Sequence, residues 1–152
     1  MPHEVELIHR ADHDFVRKPS TRKTCLTCGQ MRQVAQHSGT PVSLNAFGSG
    51  GSQFVYQTVK RSWHEALGQL LEASDLPRPL ASVHVMGEMC FPHRRPVDQG
   101  NYRYMVEKAL GDVLQTMGYL ADDSWGFYTF GDLAYRYEKG RSWTRLLLFP
   151  TV

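Results

Sequence analysis

The sequence predicts an α+β domain in which helices pack on a small mixed β-sheet. Two segments place apolar residues at helical spacing, one segment alternates apolar and polar residues, and two further runs have the composition of strands. These elements follow in the order helix, strand, helix, strand, strand, which is typical of α+β domains. The 152 residues suffice for one domain and a small appendage, so we expect a main domain over 41–152 and a separate segment over 1–40.

The first helix is predicted from Phe54 to about Ala73. Its apolar residues lie on one helical face: Val55, Val59, Trp63, Ala66, Leu67, Leu70 and Leu71. The two prolines of the segment 74–80 end it, because proline cannot continue a helix. The segment 81–92 then alternates as a half-buried strand does. Val83, Val85, Met89 and Phe91 point to one side of it, and His84, Glu88 and Cys90 to the other.

The second helix is predicted over about 102–117. It has an apolar stripe consisting of Val106, Ala109, Leu110, Val113, Leu114 and Met117, and Gly118 is a natural C-terminal stop. Two strand-like runs follow, roughly 125–137 and 142–149, on either side of the turn Glu138-Lys139-Gly140-Arg141. This pattern predicts a β-hairpin.

Composition and charge indicate a globular chain of the cytoplasm. The hydrophobic fraction is 41%, and no apolar run approaches the roughly 18 residues of a membrane span. The N-terminal segment is polar, so we expect no secretory signal. Residues 1–40 carry six basic and four acidic residues, whereas 41–152 carry eleven of each. Affinity for phosphate would therefore have to come from local basic clusters or bound metal ions.

Residues 1–40 contain too few large apolar side chains to fold by burial alone. Cys-x2-Cys is the spacing at which two thiolates grasp one face of a tetrahedral zinc ion. The pattern His-x11-Cys-x2-Cys-x8-His supplies four ligands for a structural Zn²⁺: His13, Cys25, Cys28 and His37. His3 or His9 can replace His13. The alternatives are a redox CxxC and a disordered tail.

Acidic residues bracket the second helix, with Asp98 just before it and Asp122 and Asp123 just after it. A nuclease that uses Mg²⁺ needs carboxylates from separate segments to converge, since Mg²⁺ takes hard oxygen ligands. A helix over 102–117 spans about 24 Å, so its two ends can share an ion only if the following segment doubles back along it. The alternative makes Asp98 a helix N-cap and the other two turn residues.

These segments resemble the RusA-like Holliday junction resolvases. In that family a strand leads through a basic turn to an Asp-x-Asp-Asn motif, followed by a helix reading Lys-Ala-x-x-Asp-Ala-Leu and a Gly-x-x-x-Asp-Asp turn. This chain has CFPHRRPVDQGN and EKALGDVLQTMGYLADD in the corresponding places. The matching residues are Asp98, Asn101, Lys108, Ala109, Asp112, Leu114, Gly118, Asp122 and Asp123. TPVSLN at 40–45, followed by a helix with Lys60 and Trp63, is similar to the family's Pro-x-Ser-x-Asn segment, so the resemblance covers about 40–150.

Two departures concern the acids. Gly100 stands where the family has the second acid of its motif, and four extra residues separate Asn101 from Lys108, about one helical turn. Glu107 can replace the missing acid, and Asp112 is the alternative. A salt bridge to Asp112 is a structural alternative for Lys108.

The resemblance implies Mg²⁺-dependent hydrolysis of two symmetric phosphodiesters in a four-way DNA junction by a homodimer. It implies Asp98, Lys108 and Asp123 as catalytic residues, with Glu107 as the candidate replacement for the missing acid. Asp98, Asp122 and Asp123 would hold the metal. DNA contacts are expected from Lys60, Arg61, Arg94, Arg95, Asn101 and Arg103. The competing hypotheses are a DNA-binding protein with a degenerate acidic site that does not cut, and a nuclease of other branched DNA.

Overall fold

A computed structural model describes residues 3–8, 53–92, 94 and 99–152. The elements in chain order are β1 (His3–Ile8), α1 (Gln53–Ala73), β2 (Ser82–Phe91), α2 (Gln99–Thr116), β3 (Tyr128–Tyr137) and β4 (Trp143–Thr151). The four strands form one sheet in the order β1-β4-β2-β3. β4 is antiparallel to both β1 and β2, whereas β3 is parallel to β2. The predicted α+β class with a mixed sheet is confirmed.

The predicted β-hairpin is wrong, although both of its strands exist. β2 lies between β3 and β4, so the two strands that follow one another in sequence are not neighbours. The turn between them is formed as expected: Arg141 N donates to Glu138 O at 3.0 Å, and Gly140 has a φ of 74°. Turn residues establish where the chain reverses. They do not show whether the strand after the turn pairs with the strand before it or lies one strand further along the sheet. β2 and β4 are the two interior strands of the sheet, and β2 pairs with a neighbour along each of its edges.

β1 is a strand that the sequence interpretation did not include. It pairs with β4 from His3↔Leu148 to Ile8↔Trp143, and Val5 is buried in the core. The beginning of the predicted 1–40 segment therefore belongs to the main sheet. Six residues, of which two are glutamates, are too short a run for periodicity to distinguish from a polar tail. The predicted zinc ligands lie outside the described residues: His13, Cys25, Cys28 and His37.

One hydrophobic core lies between the two helices and one face of the sheet. The helical stripes predicted from the sequence are buried in it, including Trp63, Leu67, Leu71, Val106, Leu110 and Leu114. They meet inward-facing residues of the strands, among them Val85, Met89, Leu146 and Leu148. Each such side chain contributes roughly 1.5–3 kcal/mol on burial. The other face of the sheet carries His84, Arg145 and the partly exposed Phe149. No helix in the part of the chain described here is long and apolar enough to cross a membrane.

The end of α2 reverses the chain through a Schellman motif. Gly118, at a φ of 78°, donates to Gln115 O at 3.1 Å, and Tyr119 N donates to Leu114 O at 2.9 Å. The left-handed conformation favours glycine, as the sequence predicted for this stop. The chain then returns along α2, so that a Cβ added at Gly111 would lie 3.6 Å from the Cβ of Asp123. The segment after α2 therefore doubles back along the helix. This return is required if acids that precede and follow the helix are to share one site.

Candidate functional site

Lys108 lies between two carboxylates near the middle of α2. Its Nζ is 3.0 Å from Asp112 Oδ1 and 3.8 Å from Asp123 Oδ2. Residues four apart on a helix are neighbours, which explains the contact with Asp112. The contact with Asp123 depends on the chain reversal at Gly118. The helical salt bridge is therefore present, and it coexists with a contact to one of the predicted metal ligands.

Asp112 also connects α2 to α1. Its Oδ2 is 3.4 Å from Lys60 Nζ and 3.6 Å from His64 Nε2, the latter longer than a normal hydrogen bond. Lys60 and His64 are four residues apart on α1, so both side chains face the same way. One carboxylate, only 19% exposed, thus has three basic side chains around it. Asp112 is consequently neutralised by its neighbours rather than available as an isolated anion.

The electrostatic environment fixes the charge of two of these groups. The hydrogen bond to Asp112, the negative charge of Asp112 and that of Asp123 raise the pKa of the Lys108 ammonium, so it stays protonated. Burial lowers the pKa of His64 below 6.5, the positive charges of Lys60 and Lys108 act in the same direction, and Asp112 opposes them. His64 is therefore neutral at neutral pH, and the cationic groups beside Asp112 are the two lysines.

Gly111 allows the close approach of β3 and of the returning chain to α2. A Cβ at this position would lie 3.1 Å from Tyr128 Cε1. Tyr128 is buried, and its hydroxyl donates to the backbone oxygen of Glu107 at 2.9 Å. Burial, reinforced by the negative charge of Glu107, raises the pKa of Tyr128 well above its ordinary value, so it remains a neutral donor. The ring thereby anchors β3 against the helical turn that carries Glu107 and Lys108.

A pocket of about 420 Å³ opens beside the Lys108 cluster. Its charged lining consists of Glu107, Lys108 and Asp123, and its aromatic lining consists of Tyr104, Trp125 and Tyr128. The volume lies within the roughly 300–1,000 Å³ of small-molecule sites. The arrangement combines a fixed ammonium group, two carboxylates and aromatic surface in one concave region.

Arg103, predicted to contact DNA, has several partners within the chain. Its Nε is 3.0 Å from Glu107 Oε2, its Nη2 donates to Phe130 O, and its guanidinium lies 5.2 Å from the centre of the Phe130 ring. The side chain is 37% exposed, so part of it still faces solvent. These contacts hold the Glu107 carboxylate at the side of the pocket.

The other predicted DNA contacts are spread over the domain. Lys60 belongs to the Asp112 cluster, and Arg61 next to it is exposed. Arg94 is exposed and its guanidinium lies 5.2 Å from the centre of the Tyr137 ring, at the end of β3 opposite to Tyr128. Along a strand the two ends of β3 are about 30 Å apart, so Arg94 is not part of the pocket. Asn101 lies in the first turn of α2, and Arg95 is outside the described residues.

The described residues alone do not complete a metal site. Within residues 3–8, 53–92, 94 and 99–152, no three His, Cys, Asp or Glu side chains are grouped so that they could hold an ion. Asp98 lies outside the described residues, and Asp122 Oδ1 accepts a hydrogen bond from Asp123 N at 2.8 Å. Gln99 and Lys108 are nine residues apart on α2, about 14 Å along its axis. A second carboxylate close to Asp123 is therefore more readily supplied by Glu107 than by the first turn of the helix.

Sequence reasoning missed four residues near the site: His64, Tyr104, Trp125 and Tyr128. The spacing of His64 from Lys60 places both on one helical face, which could have indicated the first. Trp125 follows Asp123 by two residues and is 86% exposed. The sequence cannot show that an aromatic residue in a strand-like run is exposed, so that signal was weak.

No protein-family model matches this chain, and no curated protein sequence matches it. The family resemblance therefore rests on the motifs of residues 40–150, and chiefly on the agreement of spacings between residues 90 and 123.

Proposed function

We propose that this protein is a Mg²⁺-dependent endonuclease that cuts branched DNA, as RusA-like resolvases do. The observation that carries the proposal is the position of Lys108 between Asp112 and Asp123 at the edge of a pocket. These are three of the residues that match the family's motifs. Asp112 is a helical neighbour of Lys108, whereas Asp123 is distant in sequence and approaches Lys108 only because of the chain reversal at Gly118.

Lys108 is the group best suited to stabilise charge on a phosphate. Its ammonium stays protonated and has three N–H donors. Asp112 Oδ1 lies within hydrogen-bond distance at 3.0 Å, and Asp123 Oδ2, at 3.8 Å, acts through its charge. Asp112 holds the Lys108 ammonium in place through their salt bridge. Lys60 in turn neutralises the Asp112 carboxylate. An ammonium oriented before the substrate arrives stabilises developing negative charge without reorganisation.

Asp123 and Glu107 are the carboxylates that line the pocket, and Asp98, the further acid that the resemblance implies, lies outside the described residues. When bound, Mg²⁺ would neutralise charge on the scissile phosphate. The proposed role of Glu107 as the substitute for the acid missing at Gly100 is supported by its place in the same pocket as Asp123. Backbone phosphates on either side of the cut would be contacted by Lys60, Arg61 and Arg94. The two-fold symmetry of a junction favours a homodimer.

The function is tested by incubating the purified chain with a synthetic four-way junction and Mg²⁺, beside a linear duplex of the same sequence. We expect paired, symmetric nicks in the junction and much slower cutting of the duplex. Products are resolved on denaturing gels, which give the positions of the cuts. Equal cutting of junction and duplex would contradict the proposed selectivity, and no cutting of any branched DNA with Mg²⁺ or Mn²⁺ would contradict the proposed catalysis.

A non-catalytic DNA-binding protein is the second candidate. It is favoured by Gly100 at the position of an acid. It predicts that the chain binds junctions with and without Mg²⁺ and leaves them intact.

The segment that precedes the helices is proposed to carry a structural Zn²⁺ on His13, Cys25, Cys28 and His37. A closed set of four ligands orders a segment that lacks a core of its own. Its basic residues would then form a second surface for DNA: Arg17, Lys18, Arg22, Lys23 and Arg32.

A further inference from the structure

We propose that the pocket beside Lys108 accepts one unstacked nucleobase of the DNA, held between Trp125 and Tyr104. This rests on the proposed function, since it assigns the part of a branched substrate that the same site binds. The substrate class would then be branched DNA with a base that has left the helical stack, such as one at the branch point.

Trp125 is exposed in a way that the other two tryptophans are not. It is 86% exposed, whereas Trp63 is 0% and Trp143 is 4% exposed. The backbone that carries it is a closed turn, because Phe127 N and Tyr128 N both donate to Ser124 O at 2.9 Å. Tyr104, 43% exposed, lines the same pocket from α2. Two accessible aromatic side chains that line one pocket provide a surface on which a base can stack. Any of the four bases can stack in this way, because each has an aromatic face.

The charges of the pocket favour a base over a phosphate as its occupant. Glu107 and Asp123 are acidic, and Lys108 is the basic residue of the lining. Without a bound metal ion, a phosphate placed between Glu107 and Asp123 would be repelled by two carboxylates, whereas an uncharged base would not; the scissile phosphate of the proposed reaction would lie at the rim, beside Lys108. Carboxylates accept hydrogen bonds from exocyclic amino groups, which adenine and cytosine present and thymine lacks. Glu107 is fixed for such a contact by Arg103 at 3.0 Å.

The place of the pocket also fits the proposed chemistry. Lys108 belongs both to the pocket and to the cluster with Asp112. A base seated between the aromatic residues would carry its own phosphate to the rim, within reach of the Lys108 ammonium. Stacking would thereby select a distorted strand and orient it at the same time.

The test measures binding of short single-stranded oligodeoxynucleotides to the full chain, without divalent metal, by fluorescence anisotropy and by quenching of tryptophan emission. We expect Trp125→Ala to weaken binding of oligodeoxyadenylate about tenfold, and Trp125→Phe to retain most of it. Phe149→Ala is the matched control, because it removes another partly exposed aromatic residue on the opposite face of the sheet. Oligomers of adenine or cytosine should bind more tightly than oligothymidylate, and Glu107→Gln should reduce that difference.

The proposal is overturned if wild type binds no single strand, if Trp125→Ala binds as wild type does, or if Phe149→Ala weakens binding equally. Equal affinity for oligothymidylate would overturn the assigned contact with an amino group. Because the assay needs no cleavage, its outcome is separate from that of the junction assay. If the protein binds single strands through Trp125 but never cuts a junction, this inference is supported and the nuclease is refuted. If the protein cuts junctions and Trp125→Ala binds single strands as wild type does, the nuclease is supported and this inference is refuted.

Discussion

Asp112 organises the site at the scale of single residues. It is contacted by Lys108 from its own helix and by Lys60 and His64 from the other helix. A partly buried carboxylate with this environment would be costly without its cationic partners. The sequence suggested Asp112 only as a partner of Lys108 or a spare acid, because contacts between helices are not visible in the spacing along one of them.

His64 makes stability depend on pH. Since its pKa in the folded chain is lowered below 6.5, the unfolded chain binds the proton more readily. The effect of His64 on the free energy of unfolding is therefore absent well above pH 6.5. As the pH falls below that value, protonation of His64 destabilises the folded chain. We expect the free energy of unfolding of wild type to drop more between about pH 8 and about pH 5.5 than that of His64→Gln, measured by urea denaturation. His84→Gln, at an exposed histidine of β2, is the control and should behave as wild type. An equal drop in wild type and His64→Gln would refute this role.

Helix α2 carries most of the site at the scale of elements. It holds Lys108 and Asp112 on successive turns, Glu107 beside the pocket, and Gly111 where Tyr128 and Asp123 approach. Apolar periodicity predicted this helix and α1 to within a few residues, since both bury one stripe. It could not predict that β2 separates β3 from β4, because strand order depends on pairing between distant segments. It also missed β1, whose single buried residue with a described side chain is Val5.

Glycine to alanine changes in the two helices test this close approach. At Gly68 in α1 a Cβ would make an ordinary contact of 3.7 Å with Met117 Sδ, so Gly68→Ala should stabilise by up to about 1 kcal/mol through helix propensity. At Gly111 the Cβ would lie 3.1 Å from a tyrosine ring that is itself held by a hydrogen bond. Overpacking of this kind costs about 1–3 kcal/mol, so Gly111→Ala should destabilise by about 1 kcal/mol despite the same gain in propensity. Thermal and urea unfolding compare the two. If Gly111→Ala is as stabilising as Gly68→Ala, the packing proposed for Tyr128 is incorrect.

At the scale of the whole molecule, the fold brings together groups that the sequence shows only as separate motifs. The α+β class and the end of α2 follow from local signals, namely helical stripes and a glycine stop, whereas the return of the chain along α2 was only a condition for a shared site. The family resemblance implied Lys108 and Asp123 as catalytic residues but not their contact, which the chain reversal makes sterically possible. The aromatic lining of the pocket was not predicted, because it joins Tyr104 of α2, Trp125 of a turn and Tyr128 of β3.

The central claim is that the Lys108 cluster cuts branched DNA, and it is tested most directly with Asp123→Asn. This change removes a negative charge beside Lys108 and preserves shape, whereas Asp132→Asn removes an exposed aspartate of β3 outside the cluster. Initial rates of junction cleavage in Mg²⁺ are measured together with junction affinity in its absence. We expect Asp123→Asn to lower the cleavage rate by at least about 100-fold with affinity retained or increased, since loss of one electrostatic group in an active site costs roughly 10²–10³ in rate. Asp132→Asn should cut as wild type does. An Asp123→Asn variant that cuts junctions at the wild-type rate would contradict the account.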